Sequence, residues 1–213
     1  MSRTGHTSSF LVAAIVATAC VAAIAALAYA WIWPREARLD TIDIASLRDA
    51  PRGEPVRIEG DVTSYDAQNH LVVIQDDSAA LQVTVPIGVS LRSGQRVQLR
   101  GVLPRDYDAN EPAPPLSFEK PELTVLRENV TLPARKTAMS DLGWGYDPDR
   151  LEVVGIVKSV SKVKGRLALD VVSDEQTASA IFLNADRDEL TKLIDARIAL
   201  RGVRYITTTP TVT

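Results

Sequence analysis

The chain has 213 residues, 46% of them hydrophobic and 24% charged, and a formal net charge of −3. No bulk positive charge marks it as a nucleic-acid binder. A single cysteine, Cys20, excludes an intramolecular disulfide and a Cys-rich zinc site. Two histidines, His6 and His70, leave little material for His-based catalysis or metal capture. No metal and no cofactor is expected.

Residues 10–33, "FLVAAIVATACVAAIAALAYAWIW", carry no charge, and Thr18 is the one clearly polar residue. At about 1.5 Å per residue such a helix spans the roughly 30 Å hydrocarbon core of a bilayer. Trp31 and Trp33, followed by Pro34, read as an interfacial aromatic belt and a helix stop. Ala28-Tyr29-Ala30 also fits a signal-peptide cleavage site, but the run exceeds the usual apolar stretch of about 7–15 residues. The expectation is an uncleaved anchor in the inner membrane. Residues 1–9 are then a cytoplasmic tail, 10–33 a transmembrane helix or signal anchor, and everything beyond Trp33 extracytoplasmic.

Residues 34–55 form a polar connector in which Leu39, Ile42, Ile44 and Leu47 suit a short strand or helical turn, ended by Pro51, Gly53 and Pro55. Period-two alternation of apolar and polar residues then predicts strands over 56–62, 70–76, 79–86 and 96–103. A proline-rich loop over 104–122 leads to a fifth strand at 123–129, closing a first domain at 56–129. After a linker at 130–150, a second domain at 151–213 repeats the pattern. It has three strands, a helix over 185–196 with Leu190, Leu193 and Ile194 on one face, and a fourth strand at 197–207. The chain stops soon after that strand, so the second domain reads as truncated and the chain as the N-terminal part of something longer.

The repetition is visible in the residues. "VRIEGDVTSYDAQNHLVVIQDD" (56–77) and "LEVVGIVKSVSKVKGRLALDVVSD" (151–174) each alternate, reach a glycine (Gly60, Gly155), turn and return as an apolar strand. Gly60 to Gly101 is 41 residues and Gly155 to Gly202 is 47, with the extra length where only the second copy has a helix. A long glycine-bent first strand and a variable element between strands three and four describe an OB barrel. The predicted class is all-β: two tandem five-stranded OB-like barrels behind one N-terminal transmembrane helix, the second with a short helix between strands 3 and 4. A general β-sandwich is the alternative.

Several stretches resemble extracytoplasmic OB-like sensor modules that precede the output segments of bacterial signalling proteins, chiefly sensor histidine kinases and diguanylate cyclases. They are Gly60-Asp61-Val62-Thr63-Ser64-Tyr65, Leu71-Val72-Val73-Ile74-Gln75-Asp76, Leu81-Gln82-Val83, and Leu91 through Gly101. Arg150-Leu151-Glu152-Val153-Val154-Gly155-Ile156-Val157 is similar to the opening of the second module in that family, with Leu in place of its Trp. The resemblance covers roughly residues 39–204 and implies a sensory ectodomain of a membrane signalling protein.

Candidate binding residues fall in two groups. Tyr65, Gln75, Asp76 and Asp77 lie on the first unit's hairpin, where carboxylates at a strand end suit a polar ligand or cation or simply cap a turn. Lys158, Lys162, Lys164 and Arg166 cluster in the second hairpin, either a seat for an anion or a solvated charged loop. Trp144 and Tyr146 in the linker suit packing between the domains, or a binding edge. Base-stacking aromatics are nearly absent from both units, where Tyr65, Phe182 and Tyr205 are isolated. Between Asp40 and Glu128, 15 acids face 9 bases. Nucleic acid is therefore set aside as a partner. Signatures of hydrolases, metalloproteases and P-loop enzymes are absent, so no catalysis is expected. The expected function is a membrane-anchored, non-catalytic sensor or interaction module. The alternatives are a tethered OB protein binding nucleic acid or oligosaccharide, and a structural envelope docking subunit.

Overall fold

In a computed structural model, described for residues 39–106, 116–142 and 148–204, two antiparallel sheets grow from the two copies of the glycine-bent strand. The expected anchor at 10–33 lies outside the described residues. Among those residues no helix is long and apolar enough to cross a membrane. Both sheets belong to one compact unit beginning at Thr41.

The first sheet contains β1 (Thr41–Ile42), β2 (Pro55–Asp66), β3 (Leu71–Gln75), β4 (Ala80–Thr84), β5 (Arg96–Val102) and β6 (Glu119–Arg127). Its order is β4-β3-β2-β5-β6, with β1 parallel to β2. The long strand β2 serves two partners: Pro55–Asp61 pairs with β5, and Asp61–Asp66 pairs with β3. That double duty forces the chain to bend, and Gly60 sits at the bend because nothing larger fits. A Cβ there would lie 2.6 Å from Ile74 Cγ2 and 2.8 Å from the Gln75 carbonyl oxygen. The two ends of the sheet meet through one parallel bridge, Val83 to Leu116. Inside, Leu47, Ile58, Val62, Val72, Ile74, Val83, Val97, Leu99 and Leu103 are essentially removed from water, the apolar burial that drives the collapse.

The second sheet is made of β7 (Arg135–Lys136), β8 (Arg150–Val163), β9 (Arg166–Ser173), β10 (Gln176–Ile181) and β11 (Arg197–Val203), with a short helix α1 (Arg187–Thr191). Its order is β10-β9-β8-β11, with β7 parallel to β8. Equivalent features recur at the spacing that separates Gly60 from Gly155. The bulge at Val62/Ser64 recurs at Val157/Ser159, and β8 splits its pairing between β11 and β9 as β2 does between β5 and β3. A Cβ on Gly155 would meet Val171 Cγ1 at 2.5 Å and the Val172 oxygen at 2.9 Å.

Several expectations are corrected. The repeat begins earlier than residues 56 and 151, because each long strand is preceded by a parallel two-residue strand and a 3-10 turn. These are β1 with Ile44–Arg48, and β7 with Met139–Leu142. The 130–150 segment is thus partly a structured opening of the second unit: Met139 is buried in its core as Ile44 is in the first. Strand β6 starts at Glu119, inside the expected loop. It carries Pro121, which is tolerated on an edge strand. The helix is shorter than expected, since Asp195 adopts a left-handed backbone (φ 64°) and the chain returns to pair at the bulge, Asp195 N–H donating to the Val157 oxygen. Two five-stranded barrels are met in part only. Among the described residues β11 has no neighbour on its far side, whereas its counterpart β5 is covered by β6.

Candidate functional site

Among the described residues β11 has no outer neighbour, and a cleft lies where the second sheet meets the first. The resulting cleft has a volume of about 1260 Å³ and is lined from both sheets. Its apolar wall includes Leu151 and Val153 of β8, Phe182, and Leu200 of β11. Six lining residues are basic (Arg92, Arg150, Lys164, Arg166, Arg201 and Arg204), and one, Asp66, is acidic. Alternation explains part of this pattern. On β8 and β11 the residues opposite one another share a face, so Leu151 and Val153 point inward while Arg150 and Arg201 lie on the other side of the pleat.

The cleft is pinned at its centre by an ion pair across the two sheets. Arg166, at the start of β9, grips Asp66, at the end of β2. Nη1 donates to Oδ2 at 2.6 Å, Nη2 donates to Oδ1 at 2.7 Å, and Nη2 also donates to Gln68 Oε1 at 3.0 Å. The side chains are only 18% and 10% exposed. Asp66 further accepts from the backbone N–H groups of Gln68 and Asn69 and from the Asn69 amide. Burial alone would raise the Asp66 carboxyl. The Arg166 fork, Asn69 and the guanidinium charge outweigh it and bring the value down to about 2. A second tie is formed by Arg150, whose backbone N–H donates to Gln75 Oε1 at 3.2 Å and whose Nη1 donates to the Thr63 oxygen at 3.4 Å.

A smaller depression of about 200 Å³ on the first sheet is lined by Asp43, Glu59, Asp61, Asp76, Asp77 and Arg96 among others. Asp76 there is a turn cap. Its Oδ1 accepts from Ser78 N–H, Ser78 Oγ–H and Ala79 N–H, and its Oδ2 accepts from Ile44 N–H, which ties the opening segment to the β3–β4 turn. Burial raises that carboxyl, but these bonds win and lower it. Among the described residues no group of three His, Cys, Asp or Glu side chains could hold a metal ion.

The two sequence-derived groups are therefore divided differently. Tyr65, Lys164 and Arg166 reach the cleft. Gln75, Asp76 and Asp77 line the acidic depression, where Gln75 and Asp76 have structural duties. Lys158 is exposed beside Asp195 at 3.9 Å, and Lys162 is exposed away from both hollows. Trp144 and Tyr146 lie outside the described residues. Sequence reasoning missed Arg92, Arg150, Arg201, Arg204 and Phe182, because they are far apart along the chain and only sheet pairing assembles them. Glu152 and Arg201 show this: register opposes them across β8 and β11, and Arg201 Nε donates to Glu152 Oε2 at 2.5 Å.

No family model matches the chain, and no curated protein does. Solved structures similar to part of this chain include two from Saccharomyces pombe. One is the telomere capping protein Ten1 from Saccharomyces pombe: 20% identity, TM-score 0.30, covering 39% of this chain and 79% of that one. The other is the S. pombe Stn1–Ten1 complex: 19% identity, TM-score 0.29, covering 39% and 74%. These likenesses concern the fold alone. The exclusion of nucleic acid as a partner nevertheless does not stand. The cleft removes both premises of the exclusion. Asp66 is the one acid of the first unit among the residues lining the cleft, while Asp43, Glu59, Asp61, Asp76 and Asp77 surround the small depression, and Tyr65 and Phe182, remote in sequence, line one cleft.

Proposed function

We propose that this protein is a non-catalytic binding module that takes single-stranded nucleic acid in the cleft between its two OB-like sheets. The observation that carries the proposal is the lining: six cations against one carboxylate, around an apolar wall that includes Tyr65 and Phe182. Single strands need this combination, a cationic track for phosphates and flat apolar surface for bases, with each stacked base contributing about 1–3 kcal/mol. Three of the cations already have carboxylate partners, Arg166 with Asp66, Arg201 with Glu152 and Arg92 with Glu128. Arg150 and Lys164 also line the cleft, and Arg204 donates from Nη1 to the Leu142 oxygen at 2.9 Å. The sheets are read as tandem OB modules on the strength of the shared glycine, bulge and register.

The proposal includes the anchor at 10–33 and an extracytoplasmic position for both sheets; a reporter fused after Thr213 that works only in the cytoplasm overturns that placement. The sensory-ectodomain and envelope-docking readings rest on that segment and on the residue resemblance, and the cleft adds nothing specific to either. The test is fluorescence anisotropy of the full chain in detergent with a labelled single-stranded oligonucleotide. Binding should weaken linearly in log–log form with salt. No binding at low salt, or equal binding of a neutral oligosaccharide, overturns the reading.

A further inference from the structure

Ile87 is the most water-exposed large apolar residue among those described. It is 87% exposed, whereas Leu183, Ile194, Leu126 and the others of its kind lie between 39% and 46%. Single apolar side chains on a surface are ordinary and need no explanation. What sets Ile87 apart is how firmly it is displayed and what stands beside it.

It sits at the tip of the loop between β4 and β5. Val89 N–H donates to the Pro86 oxygen at 3.3 Å, and Gly88 between them has φ 92°. That is a tight turn whose third residue takes glycine, with Ile87 as its second. A Cβ on Gly88 would meet nothing within 4 Å, so the tip projects into open space. Both legs of the loop are fastened. Val85 is buried and its N–H donates to the His70 oxygen at 2.9 Å. Tyr65 Oη donates to the Val89 oxygen at 2.5 Å, and Ser93 Oγ donates to the Thr63 oxygen at 3.0 Å. A braced backbone thus holds an isoleucine out in water.

The fastenings are also the cleft wall. Tyr65, Leu91, Arg92 and Ser93 line the cleft. Ile87 is not a lining residue, but its Cα lies within about 8 Å of the Val89 Cα, two residues along the chain, and the Val89 carbonyl touches Tyr65. The tip therefore stands at the rim. We propose that Ile87 is a wedge that enters between two adjacent bases of the strand held in the cleft. Isoleucine has no flat face on which a base could stack. A branched aliphatic side chain acts on nucleic acid by parting a base step, at a cost of about a few kcal/mol of stacking. Burying Ile87 between the bases recovers part of that cost, and the parted bases become available to Tyr65 and Phe182. The wedge deepens the proposed function, and rests on it, by giving the site a preference for strands whose bases unstack easily.

The test uses the full chain in detergent and single-stranded adenine runs in which 2-aminopurine, a base that brightens when its stacking is broken, replaces adenine at successive positions. With wild type at saturation one step should brighten. I87S should bind about fivefold more weakly, keep the salt slope because no charge is removed, and lose the brightening. I87L should keep it. I194S, which removes an exposed isoleucine outside the cleft lining, should change neither affinity nor brightening. Circular dichroism checks that each variant is folded, and I87A replaces I87S under the same criteria if I87S is not. Binding by wild type with no brightened position, or equal brightening by I87S and wild type, overturns the wedge and leaves the nucleic-acid reading standing. No binding of any oligonucleotide by wild type overturns both. If sedimentation shows that wild type self-associates and I87S does not, with brightening unchanged between them, Ile87 is a contact between copies and the wedge is overturned.

Discussion

The two sheets start from the same strand and end differently, and the site lies in the difference. Both have a glycine where the long strand bends, a bulge at the equivalent position, and a short parallel strand with a 3-10 turn before it. The first continues into β6 and meets itself through the Val83–Leu116 bridge around a large buried cluster. The second spends its extra residues on α1, leaves β11 without an outer neighbour among the described residues, and buries only Met139, Val157, Leu169, Val171 and Leu190 in its cluster. The lesson is that the repeated hairpin supplies a scaffold, and closure decides whether its interior becomes core or cleft.

Equivalent leucines give the sharpest way to break that comparison. Leu99 pairs with Ile58, and Leu200 pairs with Val153 at the matching place, yet Leu99 is 1% exposed while Leu200 is half-buried on the cleft wall. Leu99→Ala should cost about 4 kcal/mol, in the range for full burial. Leu200→Ala should cost about 1 kcal/mol, because the cleft already stands open beside it. Urea unfolding of both variants measures the gap, and equal losses would mean the second interior is as closed as the first.

Next in size is the tie between the sheets. Asp66→Ala leaves Arg166 buried without its carboxylate and should cost about 3 kcal/mol, seen in urea unfolding together with faster hydrogen exchange at the start of β9. The same pair sets a pH dependence. A carboxyl held at about 2 in the folded protein and near 3.8 unfolded contributes stability that is complete above the unfolded value. That stability is lost as pH falls from about 4 through 2. Asp66→Asn should flatten this acid limb, and an unchanged limb would remove the pair from the account.

The glycines test what the sheets share. Alanine at Gly60 or Gly155 pushes a Cβ into a neighbouring strand's backbone oxygen as well as a side chain, so each should cost about 2 kcal/mol, as overpacking does. A large difference between them would show that only one strand is truly bent under load. The smallest effect concerns the element the second sheet has alone. Asp186 caps α1, accepting from Asp188 N–H at 2.7 Å and Glu189 N–H at 3.3 Å, and Asp186→Ala should cost about 1 kcal/mol in thermal unfolding.

Local periodicity was enough to read most strands, the duplication and the place of the extra helix, because alternation and turn chemistry act over a few residues. It was not enough at 130–150, where Met139 and Leu142 have too few apolar neighbours to announce a buried turn. Asp76 is similar: a turn carboxylate and a ligand carboxylate look alike in sequence, and only its bonds to Ile44, Ser78 and Ala79 separate them.

By itself the sequence determined that this protein repeats a glycine-bent β unit, that the copies differ by one connection, and that the second hairpin is basic. Tertiary structure alone decided which charges meet. Arg150, Arg166, Arg201 and Phe182 come from four places on the chain and converge because β8 pairs with both β9 and β11 while facing β2. Pairing between distant strands is a property of register and closure, which short-range patterns do not encode, so the cleft had to be seen in three dimensions.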